Sequence, residues 1–240
     1  MIDLLKADLC RLRRWKIFYF WLLLITGADL LYEAVKRLIL HRQFSFLPLM
    51  ISGLEQKILF VLVGAFVIYD LYLERESGFF IQTQPLYPKW KQTAEKLVFG
   101  GIFSFAVQLF FFLEHLGKAV YLQINWTGTE LIEAEAFFVG NIFVCAAFVA
   151  AGICLVEWMR NIWVCVAVLT LLVWGLPLHL AFEKMLSVFG GEGILSYGMY
   201  DSFSNFCGKI WEGSFLQMIV ISCIWVLGFG GFAFLGKLRR

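Results

Sequence analysis

Ala136-Phe-Phe-Val-Gly-Asn-Ile-Phe-Val-Cys-Ala-Ala-Phe-Val-Ala-Ala-Gly-Ile-Cys-Leu-Val-Glu-Trp158 runs for 23 residues with one charged side chain, Glu157, near its end. About 20 apolar residues in a helix cross the ~30 Å hydrocarbon core of a bilayer. Five further stretches match that length and character, at 17–35, 57–73, 97–116, 162–181 and 214–235. The whole chain agrees: of 240 residues, 61% are apolar and 16% charged, and mean hydropathy is +0.79. Charged residues supply about 25% of an ordinary soluble domain. A water-facing surface cannot be built from so little polar material. Composition therefore excludes a soluble enzyme, a disordered chain and a disulfide scaffold. A net charge of +2 gives nucleic-acid binding no electrostatic support. The expected fold is all-α, one polytopic transmembrane domain over 1–240 with six transmembrane helices.

Six spans put both termini on one side, and the basic residues choose which. With cytoplasmic termini, the inner pieces are 1–16, 74–96, 159–161 and 236–240, and they hold 13 of the 20 Lys and Arg. The positive-inside rule then predicts a multi-pass protein of the cell membrane with N- and C-termini in the cytoplasm. Acids lean outward: Glu55, Glu130, Glu133, Glu135, Glu183, Glu192, Asp201 and Glu212 all fall on the other side. The basic start precedes an apolar run without a small-residue cleavage site, so that run is expected to remain as a span.

Residues 1–16 place Leu5, Leu9 and Leu12 at helical spacing, with Lys6, Arg13 and Arg14 between or just after them. That pattern predicts an interfacial helix, its apolar face among lipid headgroups and its cations near anionic lipid. The outer segment 182–213 mixes large apolar residues with Gly190, Gly191, Gly193, Gly198 and Gly208. It reads as short surface or membrane-dipping helices. Segment 36–56 is a weaker version of the same.

Between the second and third spans lies Glu74-Arg-Glu-Ser-Gly-Phe-Phe-Ile-Gln-Thr-Gln-Pro-Leu-Tyr-Pro-Lys-Trp-Lys-Gln-Thr-Ala-Glu-Lys96. It opens with a charged triplet, passes through a semi-apolar helical patch, turns at Pro85 and Pro88, and enters the third span on basic residues. This resembles the first cytoplasmic loop of ABC-2-type transporter permeases. There a Glu-rich start, a Gly and a run to L-x-x-x-P precede a Lys that opens the next helix. Those places are taken by Glu74 and Glu76, Gly78, Ile81 with Pro85, and Lys96. The N-terminal interfacial helix, six spans and a long outer segment before the last span match the same layout. The small permeases of lantibiotic immunity and peptide export are the most similar. The resemblance implies an ABC-type ATPase subunit as partner, with ATP and magnesium bound there, and a second permease chain, identical or a sibling.

Such a loop has a mechanical rationale. A permease without a nucleotide site must receive displacement from a soluble ATPase, and apolar knobs on an inner helix can seat in a groove on that partner. Phe79, Phe80 and Ile81 are the expected knobs, Pro85 shapes the turn, and Glu74, Arg75 and Glu76 are expected to pair with the groove rim. The plainer alternative is a solvated loop whose Phe pair rests on lipid.

Other chemistry is weak. Gly231-Phe-Ala-Phe-Leu-Gly-Lys-Leu238 fits the spacing of a phosphate loop, but it ends a span and lacks the Ser or Thr that would meet the metal. No cofactor or metal is therefore expected in this chain. His41, His115 and His179 form no H-x-x-H or H-E-x-x-H motif, and Ser214 opens a span, so no catalytic residue is assigned. Asn125-Trp-Thr127 is a glycosylation sequon. None of Cys10, Cys145, Cys154, Cys165, Cys207 and Cys223 forms a C-x-x-C pair, and those inside spans read as small apolar residues. Acids in spans are functional suspects. Asp29 and Glu33 lie one turn apart in span one, and Asp29 is the deepest. Asp70, Glu114, and Glu157 with Arg160 sit near span ends, where a charge costs less. Gly228, Gly230, Gly231 and Ala233 suit close helix packing, within the chain or to a second copy.

The expected function is thus the permease subunit of an ABC exporter. It would move an amphipathic or apolar substrate such as a peptide, lantibiotic or lipid-like molecule, in keeping with 26 Phe and 9 Trp. The alternatives are a proton-coupled secondary transporter, or a non-transport membrane protein or intramembrane enzyme.

Overall fold

Thr127 starts the helix on which the rest of the bundle packs. Its Oγ1 accepts a hydrogen bond from the Glu130 amide at 3.3 Å, and the Glu130 carboxylate accepts from the Thr127 amide at 2.8 Å. This reciprocal box satisfies two of the donors that a helix leaves open at its start. In the computed structural model, residues 45–51, 53–76, 88–159, 161–174 and 215–239 are described, with isolated helical positions between 5 and 35. They form a five-residue helix and five longer ones: α1 Phe46–Met50, α2 Gly53–Glu76, α3 Lys89–Tyr121, α4 Gly128–Trp158, α5 Ile162–Trp174 and α6 Phe215–Leu238.

Local chemistry fixes the ends. Pro88 precedes α3 in an extended conformation, and its carbonyl accepts from Lys91 at 2.9 Å and Gln92 at 3.3 Å. After Tyr121 the chain turns through Gln123, whose φ of 54° is left-handed. Ile124 donates back to the Ala119 carbonyl at 3.0 Å and Gln123 to that of Val120 at 3.1 Å, the two bonds of a Schellman motif. Between α4 and α5 the Asn161 side chain accepts from the Trp163 amide at 2.9 Å, a polar N-cap.

The helices alternate in direction. Phe60 and Phe148 stack at 5.4 Å between centroids, and Arg75 reaches Glu157, so α2 and α4 run the same way. Helix α3 opposes them: its start packs near Val149 of α4, whereas Phe112 meets Phe138 at 4.9 Å. Helix α6 parallels α4, with Trp158 Nε1 donating to the Phe232 carbonyl at 3.0 Å. A shared core of Phe60, Ile68, Phe103, Phe148, Leu169 and Met218 joins α2 to α6. A smaller cluster around Phe46, Met50, Ala119 and Ile124 sits beneath α1, where Phe46 meets Trp126 at 5.2 Å. Close approach uses glycine: a Cβ on Gly64 would collide with the Leu169 side chain of α5, and one on Gly152 would lie 3.3 Å from Ile68 Cγ1 of α2.

Helices α2 (from Gln56), α3, α4 and α6 are each long and apolar enough to cross a membrane. They correspond to the expected spans 57–73, 97–116, 136–158 and 214–235. The outer surface fits that assignment. Trp163 is 79% exposed, Leu227 76% and Leu216 68%, whereas Lys96, Asp70 and Asn141 are buried. A surface this apolar marks contact with lipid or protein rather than water. Six spans are more than the structure displays: the described part of 162–181 is the 13-residue α5, and span 17–35 is represented only by isolated helical positions. The interfacial helix 1–16 is likewise represented only at Leu5, Lys6, Asp8 and Lys16. The segment 182–213 lies outside the described residues.

Candidate functional site

Lys96 sits two turns into α3 and is 4% exposed. A buried ammonium needs compensation, since its desolvation costs several kcal/mol. It bonds Glu74 Oε1 at 2.7 Å and the carboxylate of Asp8. Glu95 Oε2 lies at 3.8 Å and Asp70 Oδ2 at 3.9 Å. Asp70 and Glu74 are one turn apart on α2, so both face the same neighbour. All four carboxylates are themselves buried.

A second pair adjoins the first. Arg75 Nη2 bonds Glu157 Oε2 at 2.6 Å, and Nη1 donates to the Val156 carbonyl. This places a cation on the carbonyl-bearing end of α4, where the helix dipole favours positive charge. Lys237 of α6 lies within electrostatic range of Glu157, Lys96, Glu74 and Arg75. One end of the bundle is therefore tied by five carboxylates and three cations drawn from the N-terminal segment, α2, α3, α4 and α6. Burying them is worthwhile only if the geometry is fixed, and broken pairs there are costly.

Oxygen atoms of Asp8, Asp70 and Glu74 lie within 4.8 Å of one another, close enough to hold a metal ion. The Lys96 ammonium bonds two of them and faces the third, so a cationic centre is already supplied by the chain.

The expected coupling residues divide. Glu74 and Arg75 engage partners inside the chain instead of projecting from a loop. Glu76 is exposed at the end of α2, one turn after Tyr72. Phe79, Phe80, Ile81 and Pro85 lie outside the described residues, as do Asp29 and Glu33. The described ends of 74–96 are helical: α2 continues to Glu76 and α3 begins at Lys89. Glu157, expected beside Arg160, pairs with Arg75 from α2, and Arg160 lies outside the described residues. Glu114 forms an ion pair with Lys118 one turn on, at 2.6 Å, and α3 continues past both to Tyr121. In α6, added Cβ atoms at Gly228 and Gly231 would meet nothing within 4 Å, whereas one at Gly230 would come within 2.8 Å of Leu97. Among the described residues, Gly230 faces α3, whereas Gly228 and Gly231 face no neighbour.

Sequence reasoning passed over Asp8, Glu95 and Lys237 as partners. Asp8 is an acid inside a basic stretch, and Glu95 abuts Lys96 at a span boundary; those were the available signals. Buried amides inside apolar runs, Gln108 and Asn141, were also passed over.

No family model, curated protein or solved structure matches the chain. The class is set by its own architecture: an all-helical, membrane-embedded protein whose helices share a buried charge cluster at one end.

Proposed function

We propose that the chain is the permease subunit of an ABC-type exporter, moving an amphipathic or apolar substrate with ATP hydrolysed on a separate subunit. The observation that carries this reading is the Lys96–Glu74 bond, which closes the segment 74–96 at its base. Through Asp8, Arg75–Glu157 and Lys237, the same base is tied to the N-terminal segment, α4 and α6. A push on residues 77–87 would reach several helices as one body, as rigid-body gating requires. In this reading the charged end is cytoplasmic, Glu74 and Arg75 transmit the push, and Phe79, Phe80 and Ile81 receive it. Permease chains act as a pair, identical or with a sibling, in the plasma membrane.

A second reading has its own support. Buried carboxylates around a lysine at a membrane-helix end are the material of proton relays, which fits a proton-coupled secondary transporter.

Exchanging Phe79 and Phe80 for Ala together distinguishes them. The exporter reading expects loss of ATPase co-purification with unchanged membrane insertion. An unchanged complex would sink the coupling role of this loop.

A further inference from the structure

Around Lys96, Glu95 is the acid that the cluster leaves without a hydrogen bond. It is 2% exposed. Its Oε2 lies 3.8 Å from the Lys96 ammonium, beyond hydrogen-bond reach. Its Oε1 is buried and has no hydrogen-bond partner. The ammonium gives its short bonds to Glu74 and Asp8 instead. The guanidinium of Arg75 is held by Glu157 and the Val156 carbonyl. The buried amides at the other end of the bundle, Gln56, Gln108 and Asn141, converge on a space with room for about one water, and that space takes no larger ligand.

An ionised carboxylate placed like Glu95 would have lost water and gained no N–H in exchange. Desolvation of that kind costs several kcal/mol, and a carboxyl group avoids it by keeping its proton. The neighbours push the same way. Asp8 lies against the same ammonium, which brings its carboxyl group next to that of Glu95. Asp70 and Glu74 of α2 add two further acids. Opposing them are Lys96, Arg75 of α2 and Lys237 of α6, with Glu157 of α4 offsetting Arg75. Acids that share one site favour a proton on one of them. Asp8 and Glu74 accept hydrogen bonds from Lys96, which favour their charged forms, so the proton falls to Glu95. A protonated Glu95 gains an O–H, and the Asp8 carboxylate is the acceptor beside it. A metal ion at this point would instead stand against the Lys96 ammonium, a like charge.

We propose that Glu95 is a proton-binding site, its carboxyl group carrying an exchangeable proton at neutral pH and sharing it with Asp8, so that the proton clasps the N-terminal segment to the start of α3. Loss of that proton would set two buried negative charges side by side. The inference stands on burial and hydrogen bonding and holds whether an ATPase or a proton gradient drives the chain.

Infrared spectroscopy of the full chain in lipid nanodiscs, with a chelator present, tests it. Carbon-13 labelling of glutamate separates Glu from Asp on the unaltered chain, so the answer does not depend on a variant folding. The expected result at neutral pH is a carboxylic-acid carbonyl band that moves with the glutamate label and shifts in heavy water. It is expected to fade reversibly as pH rises and to vanish in Glu95→Gln. Glutamine resembles the protonated acid in shape and charge, so this variant keeps its unfolding midpoint. Absence of a labelled acid band would overturn the proposal. A band that survives Glu95→Gln and vanishes in Glu114→Gln would place the proton elsewhere and overturn it. Disappearance of the band when calcium or magnesium replaces the chelator would make the site a cation site and overturn it. A fall in midpoint as large as that of Lys96→Met would show that Glu95 serves as a carboxylate, with the same consequence.

Discussion

Replacing Lys96 by Met lowers the stability of the bundle by about 3–5 kcal/mol, the usual consequence of removing one partner from a buried ion pair. Methionine preserves length and much of the volume, so packing is nearly retained. The loss comes from Asp8, Glu74, Glu95 and Asp70, which remain buried around a group that no longer carries charge. Thermal unfolding in nanodiscs is the measurement. Adding Glu74→Gln to Lys96→Met recovers part of the loss, with a coupling of about 0.5–3 kcal/mol expected for groups in direct contact. An additive double variant would mean that the two side chains do not act as a pair.

The second large effect is steric. Gly100→Val costs about 1–3 kcal/mol by overpacking the seam between α3 and α4. A Cβ at Gly100 meets Cγ1 of Val149 closer than real contacts allow. Val149 is 1% exposed and β-branched, so its helical rotamer is nearly fixed and it cannot step aside. The next residue supplies the control. A Cβ at Gly101 meets nothing within 4 Å, and Gly101→Ala gains about 0.5–1 kcal/mol by favouring helix. Opposite signs at neighbouring positions in a thermal scan check the helix placement. Destabilisation by both, or by neither, would contradict it.

What the sequence made legible follows from how far each signal reaches. Apolar runs such as 136–158 are local, and lipid imposes a length on them, so four helices fall where hydropathy places them. The ends are less legible. Helix α2 runs on to Glu76, and α3 begins at Lys89 directly after Pro88, whose fixed φ suits a helix start, both inside what reads as a loop. Lys96 stands out as a basic residue at a span boundary, but its partners come from positions 8, 70, 74 and 95, and only the last is adjacent. Periodicity within one segment cannot report such pairings. Asp8 shows the difficulty best: in the pattern of residues 1–16 it is an incidental acid on an interfacial helix, and in the fold it neutralises a lysine 88 positions away. The i,i+3 spacing of Glu157 and Arg160 is visible in sequence, whereas the pairing of Glu157 with Arg75 across the bundle is not. The buried amides are a different case. Gln108 and Asn141 are uncharged, so they barely disturb an apolar run, and their convergence depends on the antiparallel packing of α3 on α4.

The exporter reading stands or falls on a partner. The most direct measurement is purification of this chain from its native membrane in a gentle detergent, with mass spectrometry of everything that accompanies it. The account predicts a stoichiometric soluble ATPase bearing a phosphate loop. Recovery of the intact chain without such an ATPase would contradict it and turn attention to proton coupling through the carboxylates around Lys96.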